Sequence, residues 1–136
     1  MRPSRTTAAA GLVACAVTGG LLLGTAPAHA ATYNGACGSG YSVVNQAQIS
    51  GKGTVFLTYN ASNETNCVVT VRNSPGAAVP IFAGISRQDD STWYAVDQGD
   101  YTTYAGPVYR SAAGKCVTWG GAISGVYNGG IDTNCG

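Results

Sequence analysis

The stretch TVFLTYNASNETNCVVTVRN, residues 54–73, decides the fold class of this chain. In its first part Val55, Leu57 and Tyr59 occupy every second position, while threonine and phenylalanine occupy the positions between them. Its last part, residues 67–73, alternates in the same way and is rich in valine. A period of two with β-branched and aromatic residues is typical of strands rather than helices. The stretch therefore predicts two successive β-strands joined by its polar middle.

Similar short apolar runs, separated by turn signals, continue along the chain. Ser74-Pro75-Gly76 suits a type II turn, residues 87–91 read as a polar hairpin loop, and Asn128-Gly129-Gly130 is a tight-turn signal. No stretch keeps a helical period for three turns. The pattern predicts an all-β fold, a small antiparallel two-sheet sandwich or barrel of about seven or eight short strands. These strands are expected near 41–46, 54–60, 67–73, 78–86, 92–97, 101–109, 115–119 and 122–127.

Two prolines constrain where their strands lie in the sheets. Pro80 and Pro107 both fall inside predicted strands. Proline has no N–H to donate to a strand ladder, so it is confined to edge strands, strand starts or bulges. We expect each of the two to sit at an edge or a bulge.

Residues 1–30 have the pattern of a secretory signal peptide. Arg2 and Arg5 give a positive start, an apolar run follows from Ala8 to Leu23, and Ala28-His29-Ala30 supplies the small residues that a signal peptidase reads. A membrane anchor needs about 20 apolar residues, whereas glycines and a threonine interrupt this run. We expect cleavage after Ala30 and a single secreted β domain over residues 31–136.

The mature chain carries few charges of either sign. The full sequence has seven basic and six acidic residues, a net charge of +1, and loss of Arg2 and Arg5 leaves five against six, a net charge of −1. Such a set cannot form the basic stripe that nucleic-acid binding needs. It also offers no polybasic cluster for an anionic membrane. We expect no nucleic acid and, after signal cleavage, no membrane as a partner.

Four cysteines remain in the mature chain: Cys37, Cys67, Cys116 and Cys135. An even count in a short exported chain indicates two disulfides, and four cysteines allow three pairings. We favour Cys37–Cys67 with Cys116–Cys135, because each pair then brackets its own compact segment. A zinc site is excluded, since the chain has no Cys-x-x-Cys spacing and its sole histidine, His29, lies in the signal.

The mature chain offers little material for catalysis. Without a histidine, neither a Ser-His-Asp nor a Cys-His arrangement can be built. Asp97 and Asp100 remain as a pair for glycosidase chemistry. The segment that holds them, residues 97–100, is however more typical of a solvated turn in which aspartate caps backbone N–H groups. No glycine-rich phosphate loop precedes a helix. We expect no catalytic residue, no metal and no cofactor.

Aromatic residues are the strongest candidates for a binding surface. The sequence has eight tyrosines and two tryptophans, and exposed aromatic rows on a sheet suit the apolar faces of sugar rings. In DYTTYAGPVY, residues 100–109, alternation sends Tyr101 and Tyr104 to opposite faces, which favours packing over a binding row. Trp119 lies two residues after Val117 and so faces the same side of its strand, close to Cys116. This position favours burial beside a disulfide. The candidate ligand contacts are Trp93, Tyr94, Tyr101 and Trp119.

Six runs, spread over essentially the whole mature chain, carry a family resemblance. They are YNGACGSGYSVVN (33–45), TVFLTYN (54–60), NCVVTVRN (66–73), YTTYAGPVY (101–109), CVTWGG (116–121) and the final NCG. Together these runs resemble the spore-associated protein A family of streptomycetes. The segments least similar to the family are 84–92 and 122–133. The resemblance implies a small exported protein found with spores or aerial structures, with no known catalytic residues.

Four functional hypotheses follow from these features. The first is a secreted, non-catalytic protein of the spore or cell surface, in contact with wall or spore-surface polymers. The second is a carbohydrate-binding module for wall or spore-coat polysaccharide, with Trp93 and several tyrosines exposed on one face. The third is a secreted protease inhibitor, although the cysteine-proline reactive segment of the subtilisin inhibitors is missing. The fourth is a small-ligand carrier of the chromoprotein type, whose closely spaced cysteine pairs do not match the spacing here. An enzyme is the least favoured reading.

Overall fold

The computed structural model describes residues 30–136. The predicted signal peptide, apart from Ala30, lies outside the described residues, so cleavage and export remain predictions. The described part forms eight strands, and the expected all-β class is confirmed. The strands are β1 (Ser42–Ile49), β2 (Gly53–Asn60), β3 (Thr65–Arg72), β4 (Val79–Arg87), β5 (Ala95–Tyr101), β6 (Tyr104–Ser111), β7 (Val117–Ile123) and β8 (Val126–Thr133).

The strands form two four-stranded sheets, so the sandwich prediction is confirmed. The first sheet has the order β1-β2-β3-β6, and the second has the order β5-β4-β7-β8. All neighbouring strands are antiparallel. The chain builds three strands of the first sheet, crosses to the second for β4 and β5, returns for β6 and then ends in the second sheet.

The core lies between the two sheets and follows the alternation of their strands. Val55 and Leu57 point inward from β2, while Ile81, Ile85 and Trp119 point inward from β4 and β7. All five are at most 1% exposed. Burying one such aliphatic side chain contributes about 1.5–3 kcal/mol to the hydrophobic stabilisation.

The segment 31–41 covers the outer face of the first sheet. This cover explains why both faces of β2 are buried although its sequence alternates. The Tyr33 ring lies 5.9 Å from the Phe56 ring, and the Tyr109 hydroxyl donates to the Cys37 carbonyl oxygen at 3.0 Å. The disulfide from Cys37 to Cys67 fastens the segment to β3.

Both favoured disulfide pairings are confirmed. Cys37 is bonded to Cys67, and Cys116 is bonded to Cys135. The first bond lies beneath the N-terminal segment, where Cys37 is 4% exposed and Cys67 is fully buried. The second connects the start of β7 to the residues after β8, and Cys135 is exposed.

Three predicted turns are wrong. Gly76 lacks the positive φ that a type II turn requires, and the other two segments are strands with a packing role. Residues 97–100 lie within β5, where the Asp97 carboxylate accepts the Tyr101 hydroxyl at 2.5 Å and the Gly106 N–H at 2.8 Å. Residues 128–130 lie within β8. A Cβ on Gly130 would come within 2.8 Å of the Trp119 ring, so this glycine serves close packing rather than a turn.

The turn between β7 and β8 is instead formed by Ser124 and Gly125. Both residues have positive φ, 49° and 84°, as a type I′ hairpin turn requires. The predicted strand over 101–109 also divides at residues 102–103, between β5 in one sheet and β6 in the other. DYTTYAGPVY therefore crosses between the sheets and forms no continuous surface.

One of the two proline predictions is confirmed. Pro107 lies in β6, an edge strand of the first sheet, at the point where the register between β3 and β6 shifts. Pro80 does not lie at an edge, because β4 is an inner strand. It is tolerated as the second residue of that strand, since pairing between β4 and β7 begins only at Ile81.

Candidate functional site: an aromatic strip on the second sheet

The outer face of the second sheet is built from the residues that alternate with the core positions. In β4 and β7 the inward residues are aliphatic or Trp119, so their sequence neighbours face outward. None of the nine residues in the middle of this face is charged; Asp100 lies at its end, opposite Pro80. The nine are Phe82, Gly84, Ser86, Val96, Gln98, Thr118, Gly120, Ala122 and Tyr127.

Aromatic rings lie across a pair of glycines at the centre of this face. Gly84 of β4 and Gly120 of β7 are direct partners in the sheet. A Cβ on Gly84 would come within 2.5 Å of the Phe82 ring and 3.1 Å of the Trp93 ring, and a Cβ on Gly120 would overlap the Tyr127 hydroxyl. The glycines thus let three rings lie close to the backbone. We call Phe82, Trp93 and Tyr127 the aromatic strip.

Two rings of the strip pack on each other, and all three remain open to solvent. Phe82 and Trp93 pack edge to face with their centroids 5.5 Å apart, and both are half-buried. Tyr127 is 53% exposed, but its hydroxyl end rests on the sheet, and burial there raises the pKa of Tyr127 above its usual value. Val96 is 51% exposed and adjoins Gly84 across the ladder. The result is an apolar surface fixed in place by the sheet.

An ion pair between the sheets holds the loop that carries Trp93. The Arg110 guanidinium of β6 donates twice to the Asp90 carboxylate, at 2.8 and 2.9 Å. The Arg87 N–H donates to the same carboxylate at 2.7 Å. The hydrogen bond from Arg110 and the one from the Arg87 N–H lower the pKa of Asp90 to about 2, so the pair stays ionised at neutral pH. Arg110 also lies 3.9 Å from the centre of the Tyr94 ring, a cation–π contact.

The four predicted contact residues lie in different places. Trp93 belongs to the strip, and Tyr94, 59% exposed, follows it directly in the chain. Tyr101 packs its ring against the core, and its hydrogen bond to Asp97 raises the pKa of Tyr101 above its usual value. Trp119 is 1% exposed and cannot reach a ligand in this conformation. The structure therefore brings only Trp93 and its neighbour Tyr94 to an accessible face.

Phe82 and Tyr127 were not among the residues predicted from the sequence. Phe82 stands between the apolar residues Ile81 and Ala83. Because side chains alternate along a strand, Phe82 faces outward when its two neighbours face the core. Tyr127 gave no such signal, because its strand was expected to end at that residue. Only the pairing of Gly84 with Gly120 brings the two rings to one face.

Shallow clefts border the strip on two sides. One of about 250 Å³ is lined by Asp90, Trp93 and Thr118, and one of about 300 Å³ is lined by Phe82, Gln98 and Ala122. A larger cleft of about 430 Å³ lies elsewhere, between residues 30–34 and the end of β3. We place the candidate site at the strip because its rings form an open surface of the kind a polymer chain can lie along.

The described part of the chain holds no cluster of metal ligands. Residues 30–136 contain no group of three or more His, Cys, Asp or Glu side chains placed to hold a metal ion. In the same range there is no helix long and apolar enough to cross a membrane.

Comparison with known proteins gives a relative over nearly the whole chain. Spore-associated protein A of Streptomyces coelicolor is 46% identical over 132 residues, which cover 92% of this chain and 85% of that protein. No protein-family model and no solved structure matches the chain. The chain therefore belongs to the spore-associated protein A family.

Proposed function

We propose that this protein is a secreted, non-catalytic protein of the spore or cell surface, and that its aromatic strip binds wall or spore-surface polysaccharide. The name of its relative supports an association with spores and gives no molecular mechanism. The proposed mechanism is supported by the second sheet, whose outer face presents Phe82, Trp93 and Tyr127.

The observation that carries the proposal is the placement of three rings over the Gly84–Gly120 pair. Neighbouring strands lie about 4.8 Å apart, so the rings over the two glycines belong to one continuous patch. Aromatic side chains combine a large apolar area with little conformational freedom. Such a patch suits the C–H faces of sugar rings, and Gln98 and Thr118 beside it supply hydrogen bonds to sugar hydroxyls.

The lack of charged residues in the middle of the face favours an uncharged polymer as the ligand. The nine residues named above carry no formal charge, and the nearby Asp90 is neutralised by Arg110 at 2.8 Å. A charged polymer such as a teichoic acid finds no cationic partner on this face. Binding to a neutral polysaccharide therefore has a weak dependence on ionic strength, because screening acts on charges.

Removing one ring of the strip should release the protein from its polymer. Purified mature protein is incubated with insoluble wall or spore-coat polysaccharide, and the fraction that sediments is measured for wild type, Trp93→Ala and Tyr127→Ala. Loss of a central aromatic contact typically costs more than about 1–2 kcal/mol of binding free energy, so each variant should bind about tenfold more weakly or worse.

The matched control is Tyr104→Ala. Tyr104 is 38% exposed and lies on β6 of the first sheet, outside the strip. Its loss should leave sedimentation unchanged. The proposal is wrong if wild-type protein binds none of the polysaccharides, or if all three variants lose binding equally.

A further inference from the structure

We propose that the Cys116–Cys135 disulfide is a thiol-exchange site, at which a thiol-bearing partner becomes covalently attached through Cys135. The proposal is independent of the strip and of polysaccharide binding. It rests on a difference in access between the two disulfides and on the contacts that hold the end of the chain.

The two disulfides differ sharply in exposure. Cys37 is 4% exposed and Cys67 is fully buried, with Tyr33, Tyr41 and Val71 packed around them. Cys135 is exposed and Cys116 is half-buried. Exchange requires a thiolate to reach a sulfur atom directly, so access decides which bond reacts.

The residues before Cys135 are held without the disulfide. The Trp119 Nε1–H donates to the Thr133 hydroxyl at 2.8 Å, and the Asn134 side-chain amide donates to the Asn66 Oδ1 at 2.6 Å. The Asp132 N–H donates to the Thr118 hydroxyl at 3.2 Å. Opening the bond therefore leaves β8 in place and Cys135 at the surface.

The exchange step is balanced and needs no oxidant. The partner's thiolate attacks the Cys135 Sγ, and a new sulfur–sulfur bond forms while the Cys116–Cys135 bond breaks. The Cys116 Sγ leaves with the electron pair as a thiolate and takes up a proton from water. The partner is any accessible thiol, small or protein-borne, and one new free thiol appears for each attachment.

Limited exchange with reduced glutathione tests the proposal. Native protein is treated with graded glutathione, free thiols are trapped with iodoacetamide, and the cysteine peptides are mapped by mass spectrometry. Cys135 should carry glutathione and Cys116 the alkyl group at a thiol concentration at least tenfold lower than that which opens Cys37–Cys67. The circular dichroism spectrum of the folded protein should not change.

A variant protein tests the accessibility of Cys135 without a reduction step. Cys116→Ser leaves Cys135 as a free thiol, which should react with a maleimide in the native protein as fast as an exposed model thiol. The proposal is overturned if both disulfides open at the same glutathione concentration. It is also overturned if glutathione is found on Cys116 instead of Cys135, or if Cys135 is protected in the variant.

Discussion

Replacing Trp119 with alanine should lower the free energy of unfolding by about 3–5 kcal/mol, the range for large aromatic side chains removed from a core. Trp119 is 1% exposed, and its indole ring packs against Gly130. No neighbouring side chain on the Gly130 side can fill the space that the ring leaves. The substitution also removes the hydrogen bond to Thr133. Chemical denaturation of the purified domain measures the loss.

Trp93→Ala is the matched control for this experiment, because it removes the same side chain from the outer face of the same sheet. Trp93 is half-buried and packs on Phe82. An aromatic pair of this kind contributes about 0.5–1.5 kcal/mol beyond the area it buries, so the control should cost much less stability than Trp119→Ala. Equal losses from the two substitutions would contradict the assignment of Trp119 to the core and Trp93 to a surface.

Removing the buried disulfide should have the second large effect. The double variant Cys37→Ala with Cys67→Ala opens a loop whose ends are 30 residues apart in the sequence. In the chain-entropy model, closing a loop of this length stabilises the fold by roughly 3–4 kcal/mol. The variant should also release segment 31–41 from the first sheet. Denaturation measures the loss of stability, and amide hydrogen exchange at residues 33–41 measures the release.

The other disulfide provides the control for the local effect. Cys116→Ser with Cys135→Ser opens a loop of 19 residues, for which the same model gives about 3 kcal/mol. Its loss should leave exchange at residues 33–41 unchanged, because Cys116–Cys135 connects β7 to the residues after β8 and forms no bond to this segment. Slow exchange of this segment in the Cys37→Ala, Cys67→Ala variant would show that the disulfide does not hold it.

Local patterns were sufficient to predict the fold class. The alternation of β2 and β3 identifies two strands without further information, and the cysteine spacing favours the pairing that the structure shows. The parity of Trp119 indicated its burial. Each of these inferences depends on residues close together in the chain, or on a choice among only three pairings.

Contacts between distant segments could not be predicted in the same way. Asp97 resembles a turn residue until Gly106, nine residues away, is seen to donate to its carboxylate. Gly130 resembles a turn glycine until the Trp119 ring is placed against it. The aromatic strip combines residues of β4, β8 and the loop before β5, and its centre depends on the register that pairs Gly84 with Gly120.

The central claim, that the strip is the polysaccharide-binding surface, is tested most directly by fluorescence quenching of the wild-type protein. The mature domain has two tryptophans, and Trp119 is buried from solvent. Acrylamide therefore quenches mainly Trp93. Bound polysaccharide should cover Trp93 and reduce its quenching constant severalfold, with no such change for Trp93→Ala. Quenching that stays the same while the wild-type protein is bound to the polymer would contradict the claim.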